Sequence, residues 1–344
     1  MSQPGTAHPV DDPAAGPPAP AAGPAGRTRR APRPSPLWRW LLRRLVLSVV
    51  VVLGSATAAF VALYLLPGDP VQTMLGPTGQ TPALVAEVRH ETGFDHPVYV
   101  RYGLFMGRLL RGDLGQSYQL HQSVKSLIFG QLGSTVELAV AGFLLALAVA
   151  TVLAVTTAGR RPLLRDLAST VELVLASLPG FWIGVLLLTF FSFRWQLFPA
   201  VGGSGIDGLV LPAVTLALTL LGVFAQVMRE GMERALSEPF VLSSRARGAS
   251  ETTVRLRHAL RHALVPMVTL SGWSVGALLS GAVIIETIFS RPGLGRVLVS
   301  AVNSRDLPVI SGVVVVSAIA FSAVNILTDV LYRVVDPRLK EAQA

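Results

Sequence analysis

Four carboxylates, Glu137, Glu172, Glu286 and Asp329, lie in or beside long apolar stretches of a chain in which only 14% of residues are charged. Acids at membrane depth are functional candidates by default. Glu286 stands just before "SRPGLG" and has two open readings: a gate or pathway group, or a tie between its helix and the turn at Pro292 and Gly293. Pro179, Phe181 and Trp182 could shape a pore, although aromatic residues in a span more often serve packing. No acid has the paired Asp or Ser/His partner that an intramembrane hydrolase requires, and the histidines nearest a span, His258 and His262, belong to a polar segment. The chain has no cysteine, which removes disulfides, thiolate metal sites and cysteine nucleophiles. Its 6 histidines and 6 methionines form no metal track. The closest approach to a phosphate-binding loop, "GPTGQT" from Gly76, lacks the lysine that nucleotide hydrolysis needs. The chain is therefore expected to bind no cofactor and to catalyse no reaction.

The elements around these residues are those of a membrane protein. Of 344 residues, 51% are hydrophobic, too many for a soluble domain of this length. Residues 1–36 hold 10 of the 24 prolines and are expected to be disordered, because they cannot bury enough apolar surface to offset their ordering entropy. No apolar core follows the initiator, so they do not read as a signal peptide. Residues 37–44, "LWRWLLRR", combine Trp and Arg as a headgroup-zone helix does. Leu45–Leu66 then runs 22 residues without a charge, about 33 Å as a helix and enough to cross the hydrocarbon. Further spans are expected at Leu138–Val155 (entered from Ser134), at Leu167–Phe193 with a kink at Pro179 and Gly180, and at Leu209–Val227, His262–Phe289 and Val309–Val335.

Six spans put both termini on one side. With the N-terminus inside, 20 Arg and Lys fall inside and 9 outside, so both termini are expected in the cytoplasm. The net charge of +9 is then largely a topology signal, and no groove-reading motif supports nucleic-acid binding. Residues 67–133 carry balanced charges and helically spaced apolar residues broken at Gly93 and near Gly112, which predicts a small helical cap outside the membrane. Within this cap Asp69, Arg101 and Asp113 are expected to cap helices and pair internally more than to contact a transported molecule directly. Residues 134–340 form the core, with the polar segment 229–261 between the fourth and fifth spans. Gly272, Gly276 and Ser280 form a small-residue stripe suited to close helix packing.

The polar segment contains "SSRARGASETTVRLRHALRHALVP", Ser243 to Pro266. Gly248 interrupts it, Ser250 can cap the helix that follows, and Glu251 sits in that helix's first turn. Leu256, Leu260, Ala263 and Leu264 recur on one helical face, with Arg255, His258 and His262 on another. Phe240 and Val241 offer an apolar anchor before the glycine. A basic amphipathic elbow of this kind suits either the membrane surface or a docking partner.

The residues Arg245, Ala246 and Gly248 followed by "LRHALRHALVP" resemble the cytoplasmic loop signature of ABC importer membrane subunits, specifically dipeptide/oligopeptide/nickel-type permeases. Ser244, Arg247, Ser250, Glu251, Val254, Arg257 and Pro266 keep the same frame. Leu242 stands where many other importers have a glutamate. "LPGDP" at Leu66–Pro70, "RGDLGQS", "SLPGFWIG" and "GAVIIETIFSRPGLG" resemble further landmarks of that family in the same order, so the likeness covers roughly Arg39 to Lys340.

The resemblance implies an all-α membrane protein of the ABC importer type I permease fold, with six transmembrane helices and a small helical extracytoplasmic cap, in a bacterial plasma membrane. The implied partners are a homologous second permease subunit, two ABC ATPase subunits that use ATP and Mg, an extracytoplasmic solute-binding protein and the lipid bilayer. Residues 240–258 would seat in a groove on one ATPase, with Ser244, Arg245, Ala246, Arg247, Gly248, Ser250, Glu251 and Arg257 as the coupling set. Arg245, Arg247, Arg255 and Arg257 would meet acidic groups or lipid phosphate. The transported solute would be a peptide or similar small molecule. A secondary transporter is the alternative, but the internal inverted repeats and several mid-bilayer acids expected of one are missing.

Overall fold

The computed structural model describes residues 36–65, 67–75, 81–160, 162–202 and 205–335. The tail expected to be disordered therefore lies outside the described residues up to position 35, as do "GPTGQ" and the last nine residues. Helix α1 (Pro36–Leu65) carries the Trp/Arg segment and the first apolar stretch as one continuous rod. Nothing between Arg44 and Leu45 breaks helical geometry. Three short helices follow: α2 (Pro70–Leu75), α3 (Pro82–Glu91) and α4 (Val98–Leu110). Prolines stand at or just before their first turns, where the missing N–H costs no hydrogen bond. Thr81 caps α3, its Oγ1 accepting from Leu84 N at 3.4 Å.

Helix α5 (Val124–Thr157) is 34 residues long and begins ten residues before the expected entry at Ser134. Residues 124–133, assigned from sequence to the cap, are thus the first turns of a span helix. Val124 and Ile128 are fully buried there, packed with Leu294, Val309, Ile310 and Val313 in a second small core. That burial holds the helix through Gly130 and Gly133. The third apolar stretch is two helices, α6 (Pro162–Ser177) and α7 (Gly180–Leu187), the latter continuing as a π-helical turn over Leu188–Arg194. The two halves meet at 99°. Pro179 lacks the N–H that would continue α6, so the expected kink is a sharp corner.

Helix α8 (Asp207–Leu236) is followed by α9 (Pro239–Ala246), the single turn α10 (Glu251–Thr253), a π-helical stretch over Val254–Ala259, and α11 (Leu260–Ile288). Helices α12 (Leu294–Asn303) and α13 (Leu307–Val335) complete the described residues. Among the described residues five helices are long and apolar enough to cross a membrane, and six if the bent pair is counted as one span.

The buried centre is α8. Leu211, Leu216, Leu220, Phe224, Met228 and Met232 are nearly or wholly inaccessible. Helix α5 approaches it along Leu138, Gly142, Ala146, Ala150 and Ala154, every fourth residue, all fully buried or nearly so. A side chain at Gly142 would stand 2.9 Å from Leu216 Cβ, so this small-residue stripe sets the helix separation. Gly222 does the same for α6, since a Cβ there would lie 2.6 Å from Ala176 N and from Glu172 O. The stripe read from sequence divides: Gly272 and Gly276 pack on Thr328 and Phe321 of α13, whereas Ser280 is exposed. Helix α1 lies outermost, with Leu45, Val46, Val49 and Val50 each about half exposed or more, the surface of a lipid-facing helix.

Candidate functional site

The elbow between α8 and α11 is shorter than residues 229–261, because α8 stays helical to Leu236. Helix α9 presents Val241 and Ser244 inward and Leu242, Ser243, Arg245, Ala246 and Arg247 outward. It closes on Gly248, whose φ of +84° only glycine adopts without cost. Gly248 N–H donates to Arg245 O at 2.9 Å and Ala249 N–H to Ser244 O at 3.1 Å, the two bonds of a glycine-terminated helix end. Ser250 then caps the next turn, its Oγ accepting from Thr253 N at 3.3 Å. Arg245 bridges the corner by donating to both oxygens of Glu251, at 2.7 and 3.2 Å. Arg247 lies 3.4 Å from Ser244 Oγ, and Arg257 is exposed.

Two features of the elbow differ from the sequence reading. Phe240 and Val241, the apolar anchor read from sequence, face the bundle and not solvent: Val241 is fully buried and Phe240 is half-buried against the His262 ring, 5.1 Å between centroids. The outward apolar groups are Leu242 and Leu256, 68% and 50% exposed. The cause for Leu256 is the π-helical stretch. Leu260 N–H bonds to Arg255 O, five residues back, and this wider turn rotates the face that an α-helix would have kept in line. Val254, Arg255 and Ala259 turn inward in place of Leu256.

Arg255 is consequently a structural residue and not a surface cation. It is 8% exposed, and its Nη1 donates to Val155 O at 2.9 Å and Ala158 O at 2.7 Å. These carbonyls end α5, where the intrahelical donors have run out. The guanidinium satisfies them and sits favourably at the negative end of the helix dipole. The elbow is thereby bolted to α5.

A second tie lies just above. Arg229, one of the basic residues counted toward the inside, is buried with Glu172: Nε to Oε1 at 3.0 Å and Nη2 to Oε2 at 2.7 Å, with side-chain exposures of 8% and 4%. This bidentate pair joins α6 to α8 beside the close contact at Gly222. Asp329 pairs with Arg44 at 2.5 Å, joining α13 to α1.

At the opposite end, which carries the cap, Glu286 is completely inaccessible. Thr135 Oγ1 donates to its Oε1 at 2.6 Å and Gly295 N–H donates to its Oε2 at 2.7 Å, while Leu294 N–H donates to Thr135 Oγ1 at 2.8 Å. The carboxylate thus serves the free N–H groups that open α12 and ties them to α5. A Cβ at Gly293 would fall 2.2 Å from the carboxyl carbon, so the turn must be glycine for steric reasons. Of the two readings open in the sequence, this geometry is that of the tie. Nearby, Pro212 cannot donate to Gly208 O, four residues earlier. Arg291 supplies that bond at 3.2 Å and pairs with Glu137 at 2.7 Å.

Pro179, Phe181 and Trp182 lie at the 99° corner with exposed side chains. In the cap, Asp69 caps Val71 N at 3.0 Å and pairs with Arg89; Asp113 accepts from Gly115 N at 2.9 Å; Arg101 lies 4.0 Å over the Phe94 ring. Asp306, which the sequence reading passed over, is buried and accepts from Tyr118 N and Gln119 N, both at 3.3 Å, and from Ser117 Oγ. Its only sequence signal was its position before the helix-starting "LP". No group of three or more metal-binding side chains occurs among the described residues.

With the geometry in place, likeness to known proteins is specific. Residues 142–341 match the family described as "Binding-protein-dependent transport system inner membrane component", and residues 37–139 match its N-terminal companion. A "Putative peptide transport system permease protein" of Brucella suis biovar 1 is 35% identical over 308 residues, covering 87% of this chain and 98% of that protein. The glutathione transport system permease protein GsiC of Salmonella typhimurium is 33% identical over 302 residues, covering 88% and 98%.

Proposed function

The chain belongs to the family of binding-protein-dependent transport system inner membrane components, and on that premise we propose that its elbow receives the work of separate ATPase subunits. The chain is a multi-pass membrane permease subunit of an ABC importer and not an enzyme. In this proposal it pairs with a second, homologous permease chain, both contact ATPases that use ATP and Mg, and an extracytoplasmic binding protein delivers the solute. Both termini and the elbow then face the cytoplasm of a bacterial cell, as the 20-to-9 distribution of basic residues suggests. The solute class is a peptide or peptide-like molecule, in keeping with the relatives' descriptions.

One observation carries the coupling role. The elbow is stiff toward the bundle and bare toward solvent: Arg255 fastens it to the end of α5, Arg245 and Glu251 brace its corner, and Leu242, Leu256 and Arg257 are left outward. A lever must transmit displacement without bending, and this one delivers it to α5 and α11 directly. Ser244, Arg247, Gly248 and Ser250 shape the lever, and Leu242, Ala246 and Arg257 supply the contact surface. Pro179, Phe181 and Trp182, at the corner of the bent pair, are proposed to face the translocation pathway formed with the second permease chain. Glu286 acts on that pathway only through the helices it holds.

The test is Leu242→Glu combined with Arg257→Glu in the intact transporter. ATPase co-purification and ATP-driven uptake should both fall at least about tenfold, a loss of about 1.4 kcal/mol or more, while the permease chain itself melts as the parent does. Unchanged co-purification and uptake would refute the docking role.

A further inference from the structure

We propose that a cavity beneath the cap, distinct from the elbow and the translocation corner, binds the phosphate headgroup of an anionic amphiphile through Arg101 and Arg108. The cavity has a volume of about 270 Å³ and is enclosed by the end of α1 (Phe60, Tyr64), by α4 and by the start of α13 (Pro308, Ser311). It is rigidly built. Phe60 packs on Tyr102 and Phe105 at 5.4 and 5.7 Å between centroids, and Thr57 Oγ1 and Tyr102 OH share a hydrogen bond of 2.9 Å. Helix α4 is therefore clamped to α1, and the space beside it persists.

The charge inventory singles out two of the four arginines lining it. Arg89 is paired with Asp69, and Arg305 donates to Pro67 O. Asp113 accepts from the Gly115 backbone. Among the described residues Arg101, half-buried, and Arg108, exposed at the cavity's edge, have no carboxylate within ion-pairing distance. They stand seven residues apart on α4, two turns along one face, and both are close enough to the Tyr118 phenol to draw its pKa down against the stronger upward effect of burial. Burial likewise pulls the Arg101 guanidinium below its ordinary value, with no carboxylate opposing it. A half-buried guanidinium fork and an exposed one, both lining one cavity with a phenol beside them, are complementary to a phosphate.

Size and position select the ligand. The cavity is just smaller than the roughly 300–1,000 Å³ of pockets for drug-sized molecules, so a headgroup fits and an extended peptide does not. It lies where α1 ends and α13 begins, at the level of lipid headgroups in a spanning helix. Val61, Tyr64 and Leu65 continue from it as exposed surface of α1, 46%, 56% and 72% accessible, a track for an acyl chain. A soluble organic phosphate shares the headgroup chemistry and lacks use for that track.

The experiment takes the purified full-length transporter in detergent. Bound phosphatidylglycerol is counted by native mass spectrometry against phosphatidylcholine, and thermal melting is followed with sodium phosphate against sodium chloride at equal ionic strength. The parent should retain phosphatidylglycerol selectively, and Arg101→Gln with Arg108→Gln should bind it about tenfold more weakly, equivalent to about 1.4 kcal/mol. Arg111→Gln, on the exposed end of the same helix, should bind as the parent does. Stabilisation of the parent by sodium phosphate without lipid selectivity, abolished in the double variant, supports the anion site with a soluble source. Equal lipid retention in parent and double variant with no phosphate effect overturns the proposal. Should the double variant fail to assemble, Arg108→Gln alone is expected to lose about half of the selectivity, and full retention there overturns it equally.

Discussion

Replacing Glu286 by glutamine separates a structural tie from a pathway group. The native carboxylate accepts two hydrogen bonds at once, from Thr135 Oγ1 at 2.6 Å and from Gly295 N–H at 2.7 Å, in a site with no solvent access. Glutamine fills the same volume but offers one acceptor oxygen and an NH2 group. If its oxygen serves Gly295, the Thr135 hydroxyl loses its acceptor; if it serves Thr135, two donors face each other at Gly295. One buried donor is orphaned either way, which costs about 1–3 kcal/mol. Taking about 2 kcal/mol, and the roughly 2–4 °C per kcal/mol of chains of about 150–250 residues as an upper limit for this longer one, the melting temperature should fall by up to about 4–8 °C. The assay is thermal melting of the solubilised transporter alongside solute uptake in vesicles, with uptake normalised to folded complex.

Gly293 sharpens the test. Gly293→Ala alone directs a Cβ to 2.2 Å from the Glu286 carboxyl carbon and should destabilise by about 1–3 kcal/mol through overpacking. In a Glu286→Ala background that carbon is gone, so the two losses should fall short of additive by at least about 1 kcal/mol. If Glu286→Gln melts within about 1 °C of the parent while normalised uptake collapses, the tie is wrong and Glu286 belongs to the pathway. Additive losses in the double variant would refute the steric account.

Three further outcomes follow from particular contacts. Arg229→Met should destabilise by about 3–5 kcal/mol because it strands Glu172 in the core, and adding Glu172→Leu should restore most of the lost melting temperature. Gly222→Ala should prevent α6 from seating on α8, since the new methyl would meet backbone atoms at 2.6 Å; trypsin sensitivity within residues 159–180 reports it. Arg255→Gln should leave the transporter assembled with its ATPases but reduce uptake per ATP hydrolysed by about fivefold or more, about 1 kcal/mol of lost coupling, read as the ratio of the two rates in proteoliposomes.

Much of the architecture is legible from local pattern. Apolar length locates the membrane helices, Pro179 marks the corner and Gly248 with Ser250 marks the elbow, because each depends on residues within a turn or two of one another. Boundaries fail where burial overrides a breaker. Helix α5 passes through Gly130 and Gly133 since Val124 and Ile128 are packed against α12 and α13. The elbow's outward face was misread because a helical wheel assumes 3.6 residues per turn, and the π-helical stretch over Val254–Ala259 exchanges Leu256 for Arg255. A Pro four residues after Gly208 was a readable sign of an orphaned carbonyl; the identity of its rescuer, Arg291, was not.

The sequence by itself determined that this chain spans a membrane repeatedly, that it carries no phosphate-binding loop with its lysine, and which family's elbow it carries. Hydropathy is additive along the chain, and motifs are contiguous. Only the tertiary structure decided which charges are signals and which are bolts. Arg229, Arg255 and Arg291 look in sequence like members of one basic population. Folded, they meet Glu172, the end of α5, and Glu137 with Gly208, partners 57 to 154 residues away. A guanidinium removed from water must find acceptors wherever the packing of helices brings them, and the packing of helices is a property of the whole chain.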